Sequence, residues 1–372
     1  MGESMTVLFL AYHGMSEHSG ISKKILAQVN AFRSNGAQAT LCCMQTAADG
    51  SQMRVYDGKP LRTFPNNAIG KFRKRTSFAD VVRWVKEHDA DLVYIRHDIN
   101  ANPFTVNLVR RLKKAGAKVV VEIPTWPYDG ECLDQGAKLR MQLAIDRTFR
   151  KAFFRQVDKV VTYTSCETIL GCPTIRISNG IDFDNIPLAA QSADDGVLKM
   201  LSVANIHRWH GLDRLIRGMA EQREIPSELR IVGDGLEDIK AGYAALAREC
   251  GIEDRVKLLG PLYGEPLDKQ FDWADIAIGS LGRHRSGISD IKTLKNREYA
   301  ARGMKFIYSE SDSDFDDAEY VLHVSPDERP VPLNGVTALK DGCKVPPEEI
   351  RESVASLSWK EQVRKIIQEA GI

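Results

Sequence analysis

The chain of 372 residues contains no apolar run near the ~20 residues that a membrane-spanning helix needs, and no basic-then-apolar signal pattern at its start. These absences argue against an integral membrane protein and against a secreted disulfide scaffold. Cysteine is sparse and scattered, at Cys42, Cys43, Cys132, Cys166, Cys172, Cys250 and Cys343, with no CxxC pair. An odd, dispersed set in a chain of this length points to reduced thiols and a cytoplasmic setting rather than zinc or disulfides. There is no P-loop and no HExxH. Val232-Gly233-Asp234-Gly235 follows a strand pattern, but Asp238 stands where a dinucleotide fingerprint requires its third glycine. The acidic run from Asp312 to Asp317 fails as an EF-hand, because Asp317 and His323 occupy the positions that need Gly and Glu. On composition it reads as a solvated acidic loop, with a DxD metal site for a nucleotide diphosphate as the alternative.

What the chain does have is charge of both signs, unevenly placed. Its formal net charge is +1, yet residues 1–185 carry +8 and the remainder −7. A basic half joined to an acidic half predicts different partners for each. Lys71, Arg73, Lys74 and Arg75 concentrate the positive charge just before a segment with Phe78, Val81, Val82 and Val85 at helical spacing. That combination fits docking on an anionic membrane surface. Only Phe72 is interleaved with the cations, so the aromatic platforms of a nucleic-acid binder are missing, and no nucleic-acid partner is expected.

Short β-branched runs alternate with amphipathic helical stretches along the whole chain. Thr6–Tyr12, Ala39–Met44, Asp91–Ile95, Lys118–Ile123 and Lys159–Thr162 read as buried parallel strands of one domain. The alternation restarts at Leu198–Ala204 and continues through Leu229–Val232, Val256–Leu259, Ile276–Gly279 and Phe306–Tyr308. The fold class expected is α/β, with two doubly wound Rossmann-like domains. Residues 1–186 form the first, the polar stretch 187–197 a linker, 198–350 the second, and 351–372 a closing helix that packs back on the first domain.

Two loops bear on chemistry. His13 to Gly20 opens onto a helix, as an anion-binding turn or as an ordinary cap. Between Ser286 and Tyr299 a loop passes into a helix that starts near Thr293, placing Asp290 in the loop and Glu298 in the helix. Two carboxylates flanking free helix-terminal amides suit a ligand with hydroxyls and a diphosphate. The same pattern is also met in a surface helix whose Glu298 pairs with a basic neighbour.

Asp290 and Glu298 have the spacing of an E-x7-E signature, with Asp for the first Glu. Four further features occur in order: the Gly20 loop, Ser178-Asn179-Gly180-Ile181-Asp182, Val232-Gly233-Asp234-Gly235 and Ser358-Trp359. On these residues nearly the whole chain resembles the retaining glycosyltransferases of family 4, whose GT-B fold sets two Rossmann-like domains around a central cleft. Glu122 to Tyr128 and Leu294 to Tyr299 are most similar to bacterial enzymes that build capsular or exopolysaccharide.

The resemblance implies a retaining, metal-independent hexosyl transfer from a UDP- or GDP-linked sugar to a saccharide or polyprenyl-linked acceptor, without a cofactor. Glu298 would bind the ribose and Asp290 the transferred sugar. Donor contacts would come from Gly20, Gly233, Gly235 and the amides of Ile291, Lys292, Thr293, Leu294 and Lys295. Two departures stand out. Asn205 and His210 replace the Arg and Lys that the family places after the first strand of its second domain, leaving Arg208, His210 and Lys295 to hold phosphate. The family's first-domain histidine is also missing, with His97, Glu122 and Asp129 as candidates for its place. The alternatives are a weak or inactive sugar-nucleotide-binding subunit and a sugar-nucleotide epimerase on the same fold.

Overall fold

The structure, a computed structural model, describes residues 4–16, 19–130 and 136–372. Cys132 lies outside them, and the six cysteines among the described residues are free thiols. The chain divides into two compact units, residues 1–178 with 359–372, and residues 179–358.

In the first unit the strands are β1 (Thr6–Gly14), β2 (Gln38–Thr46), β3 (Gln52–Tyr56), β4 (Lys59–Phe64), β5 (Leu92–Arg96), β6 (Lys118–Glu122), β7 (Lys159–Thr162), β8 (Thr168–Ile169) and β9 (Cys172–Arg176). Among the described residues they form one sheet in the order β4-β3-β2-β1-β5-β6-β7-β9-β8. The centre is parallel, as the β-branched runs predict, with Val7 to Leu10 in register against Leu92 to Ile95. The edges are not: β3 and β4 form an antiparallel hairpin on β2, and β8 pairs antiparallel with β9.

Helices α1 (Gly20–Ser34), α2 (Ala68–Thr76), α3 (Ala79–Glu87), α4 (Pro103–Lys114) and α5 (Ala137–Phe154) accompany this sheet. Ser19 caps α1 by accepting from the Ser22 amide at 3.4 Å. Asn102 opens α4 with a reciprocal capping box and Pro103 in its first turn. Val81, Val82 and Val85 of α3 are buried in the core, so this apolar face is ordinary packing. The cations Lys71 to Arg75 do not merely precede a helix: they form most of α2, which buries only Gly70.

The second unit holds β10 (Leu198–Val203), β11 (Ser227–Val232), β12 (Val256–Gly260), β13 (Ile276–Ile278), β14 (Lys305–Tyr308) and β15 (Val321–His323). Among the described residues they make a parallel sheet in the order β12-β11-β10-β13-β14-β15. Its helices are α6 (Leu212–Glu221), α7 (Glu237–Glu249), α8 (Glu265–Trp273), α9 (Leu294–Ala301), α10 (Leu333–Gly342) and α11 (Pro347–Ser353). Residues 187–197 run inside this unit, where Ala189 donates its amide to the Arg302 carbonyl. The last helix, α12 (Trp359–Ala370), belongs to the first unit, with Trp359, Val363 and Ile366 in one core with Ile25, Val29 and Phe32 of α1.

Candidate functional site

Open parallel sheets bind ligands where the strands end at their carboxyl side, and the second unit gathers its polar groups there. The chain leaves β13, makes a short 3-10 turn over Arg283–Ser286 and enters α9. Thr293 is the N-cap of α9 in extended backbone and makes no side-chain capping bond. The first-turn amides of α9 therefore have neither an intrahelical acceptor nor a cap, which leaves the positive end of the helix open to an anion. The Thr293 hydroxyl is itself buried with no hydrogen-bonding partner among the described residues.

The segment before α9 differs in detail from expectation. The Ile291 amide is not available to a diphosphate, because it donates to the Ser311 carbonyl at 3.1 Å. That bond belongs to a bridge pairing Asp290 with Ser311, just beyond β14. Lys292 turns its ammonium to Asp314 at 2.6 Å, and its carbonyl accepts from the Asn179 side chain. Of the amides from Ile291 to Lys295 expected to face a diphosphate, that of Ile291 is thereby taken.

Glu298 sits inside α9 and is half-buried. Arg302 holds its Oε1 at 3.1 Å, while Oε2 has no protein donor among the described residues. Arg302 is fixed in turn by Asp268 at 2.9 Å and lies over the Phe271 ring at 3.9 Å. The pairing expected of a plain surface helix is thus present, yet it uses only half of the carboxylate.

The replaced cation positions have distinct fates. Asn205 is exposed, with its amide nitrogen 3.4 Å from His207 Nε2, and Arg208 is exposed too. His210 is buried, and its Nδ1 accepts from the His207 amide at 2.9 Å, which assigns the ring proton to Nε2. Burial, then the nearby charge of Lys295, pushes its proton affinity well below the usual histidine range. His210 is accordingly a neutral donor.

Positive charge arrives from elsewhere. The Lys295 ammonium is buried without a hydrogen-bonding partner among the described residues. Burial lowers its proton affinity, Glu310 opposes that fall and Arg283 adds to it. Arg283 is 5% exposed, with its guanidinium 5.3 Å from the Trp209 ring centre. Glu310 is buried two residues after β14, its carboxyl raised by burial and partly restored by Lys295. Arg283 and Glu310 escape the sequence reading; a charged residue two positions after an apolar strand is the signal that marks Glu310.

Gly233 and Gly235 have a packing role. At φ +133° and +153°, a Cβ on either would lie 1.8 Å from the Ala204 carbonyl oxygen or 2.3 Å from that of Ile206. Their smallness lets the loops after β10 and β11 touch, as the Ile206 amide does in donating to Asp234 at 2.6 Å. The acidic run is solvated only in part: Asp316 and Asp317 are exposed, but Asp312 is fully buried, and Asp312 and Asp314 both pair with the buried Arg297.

In the first unit, Gly20 opens α1 where an added Cβ would meet nothing within 4 Å, so packing does not demand glycine there. Glu122, expected as a catalytic candidate, is wholly buried and saturated. It accepts from Gln28 and Tyr94 at 2.7 Å each, pairs with Arg96 at 2.6 Å and lies 3.1 Å from Lys24. Burial alone would raise its carboxyl, but Lys24, Arg96 and the two donors hold it at about 2. This carboxylate ties α1 to the sheet and has no room for a substrate. Asp129 is likewise taken, by Arg150 at 2.8 Å and Arg147 at 3.0 Å.

His97 follows β5, 3.4 Å from Asp146 and among the rings of Tyr128, Phe153 and Phe154. It lines a cavity of about 250 Å3 together with His13, Asp98 and Thr125. Of the first-unit candidates it is the one at a cavity wall.

Residues 19–168 match the family model for a glycosyl transferase 4-like domain. Solved structures match along nearly the whole chain. Alr3699/HepE of Anabaena in complex with UDP is 15% identical, with 99% of each chain covered and a TM-score of 0.67. The fold of the chain is GT-B. A glycosyltransferase from Rickettsia africae ESF-5 is 12% identical over 99% of this chain and 98% of its own, at a TM-score of 0.69. WaaG, a glycosyltransferase involved in lipopolysaccharide biosynthesis, is 13% identical over 99% and 100%, at 0.62. No curated protein sequence matches.

Proposed function

We propose that this chain is a glycosyl transferase 4-like enzyme that moves a hexose, with retention of configuration, from a nucleotide sugar to a hydroxyl of a saccharide or lipid-linked acceptor in surface-polysaccharide synthesis. One observation carries the reading: α9 combines an uncapped N-terminus with a carboxylate, Glu298, that keeps one oxygen unpaired. The amides suit a diphosphate, and Glu298 Oε2 suits a ribose hydroxyl. Lys295 and Arg283 supply the charge that Asn205 and His210 lack, His210 offers a neutral N–H, and Asp290 serves the transferred sugar. Stabilisation of the leaving diphosphate then rests on amides and side-chain cations, with no call for a metal.

In the step itself the bond from the anomeric carbon to the donor phosphate breaks. The acceptor oxygen bonds to that carbon on the same face, and its proton passes to the departing phosphate oxygen. Alr3699/HepE has been solved with UDP and with UDP-glucose, which makes UDP-sugars the first donors to test. The protein works at the cytoplasmic face of a membrane, held by α2, whose Ile69 and Phe72 are about 60% exposed beside Lys71, Arg73, Lys74 and Arg75.

The test is a screen of UDP-, GDP- and ADP-sugars for binding and for slow hydrolysis. Binding with release of the sugar supports transfer. Binding without turnover on any acceptor favours an inactive subunit, and epimerised product favours the epimerase.

A further inference from the structure

Asp312 and Asp314 are not among the donor contacts proposed above, yet they hold the segment that leads into α9. The almost wholly buried Arg297 of α9 gives Nη1 and Nη2 to the two oxygens of Asp312, the second at 2.8 Å. It also donates to the Thr293 carbonyl at 3.2 Å. Asp314 divides its carboxylate between two cations, with Oδ2 on Arg297 and Oδ1 on the Lys292 ammonium at 2.6 Å. Both side chains of that second pair are only 15% exposed, so solvent and salt screen it less than a surface pair.

Lys292 stands directly before Thr293, the N-cap that leaves α9 uncapped. Its backbone is pinned. The Ile291 amide donates to the Ser311 carbonyl at 3.1 Å, and the Ser311 amide to the Ser289 carbonyl at 2.6 Å. The Asn179 side chain donates to the carbonyl of Lys292 itself. Only the Lys292 side chain is left a choice of direction. A lysine carries its charge on a flexible four-carbon stem, so an ammonium released from Asp314 can turn to an anion at the first-turn amides. The structure has it folded the other way.

That direction has a consequence for which nucleotide the site retains. A nucleoside diphosphate carries one more negative charge than the sugar nucleotide it came from, because its terminal phosphate is no longer esterified. Each cation added to the site therefore favours spent product over donor. Lys295 and Arg283 already stand beside His210. We propose that Asp314 withholds the Lys292 ammonium from the diphosphate and so keeps the spent nucleoside diphosphate from outcompeting the donor. Asp314 is a positioning residue, which acts through Lys292 and touches no ligand itself. Its purpose rests on the nucleotide-sugar reading, whereas anion binding at α9 can be measured without it.

The experiment is calorimetric titration of the full chain with UDP, UDP-glucose and inorganic pyrophosphate. The chains compared are the native one, Asp314→Asn, Asp314→Glu, Lys292→Met, and Asp314→Asn combined with Lys292→Met. Asp314→Asn is expected to bind UDP roughly tenfold tighter and UDP-glucose only about threefold tighter. Asp314→Glu keeps the ion pair and should stay near the native values. Lys292→Met should leave UDP affinity as it is, and added to Asp314→Asn it should restore the native affinity. Damage to the fold would weaken binding and not strengthen it, and Asp312 keeps Arg297 paired when Asp314 is neutralised. Weaker or unchanged UDP binding in folded Asp314→Asn overturns the proposal, as does tighter binding that persists in the double variant. Should Asp314→Asn fail to fold, Lys292→Met decides alone: unchanged UDP affinity supports the withheld charge, and a loss of roughly tenfold shows Lys292 already on the phosphate and overturns it. Pyrophosphate separates the two readings. The same pattern with pyrophosphate, while neither UDP nor UDP-glucose binds, would support the withheld charge and count against the nucleotide-sugar site.

Discussion

Arg302 grips Glu298 by a single carboxylate oxygen, with Nη2 3.1 Å from Oε1, and Asp268 holds the other end of the guanidinium at 2.9 Å. Glu298 is therefore oriented without being used up. Replacing it by Ala should cost the donor its ribose contact while Asp268 keeps Arg302 in place. A hydrogen bond to a charged group is worth ~1.5–3 kcal/mol, so UDP affinity should fall by roughly 10- to 100-fold. Melting temperature should change little. Calorimetric titration with UDP checks this, and an unchanged affinity would remove the ribose role.

Lys295 offers a sharper test, because its ammonium is buried without a partner and its proton affinity is lowered by burial. A bound diphosphate would reverse that shift, so binding should take up a proton at slightly alkaline pH. Titrations of UDP in buffers of different ionisation enthalpy should show proton uptake in the native chain and none in Lys295→Met. Uridine, which has no phosphate, should bind both alike.

Glu122 is predicted to matter for stability and not for donor binding. Removing one member of a buried ion pair typically costs ~3–5 kcal/mol, and Glu122→Gln should lower the unfolding free energy on that order while UDP affinity stays the same. The pH dependence follows from its carboxyl being held at about 2 against an ordinary 4.5. The native state binds fewer protons than the unfolded state between these values. The stabilisation is thus complete above 4.5 and is lost as pH falls through about 2. Denaturant melts across this acid range should show a shallower loss in Glu122→Gln than in the native chain.

For α2, juxtamembrane cations contribute about 1 kcal/mol each near an anionic surface. Changing Lys71, Arg73 and Arg75 to Gln should weaken sedimentation with phosphatidylglycerol vesicles by roughly 100-fold. Phe72→Ser should weaken it further at high salt, where the charges are screened. Vesicle binding that survives both changes would rule out α2 as the contact.

Much of this molecule is readable from local pattern. The parallel strands carry continuous β-branched runs because both of their faces are covered, and Leu92–Arg96 and Val119–Val121 are buried throughout. The start of α9 is visible in Thr293 after a Gly/Ser loop. The antiparallel hairpin Gln52–Phe64 is not, since Arg54, Lys59, Pro60 and Arg62 interrupt its alternation. What pattern cannot supply is long-range pairing. Glu122 looks like a catalytic acid until Lys24, Gln28, Tyr94 and Arg96 arrive from α1 and β5 to saturate it. Asn205 and His210 look like a loss of phosphate-binding charge that Arg208 and Lys295 must make good, until Arg283, some 75 positions away, is also seen beside His210. Gly233 and Gly235 look like ligand glycines, and the nearness of the Ala204 and Ile206 carbonyls adds a packing reason for them that pattern does not show.

The measurement closest to the central claim is proton NMR of the sugar released from UDP-glucose by the native chain and by Glu298→Ala. A retaining transferase acting on water should release glucose first as the α anomer, and Glu298→Ala should release it far more slowly. Initial release of the β anomer would contradict retention, and failure of UDP-, GDP- and ADP-sugars alike to bind would contradict the account of the site as a whole.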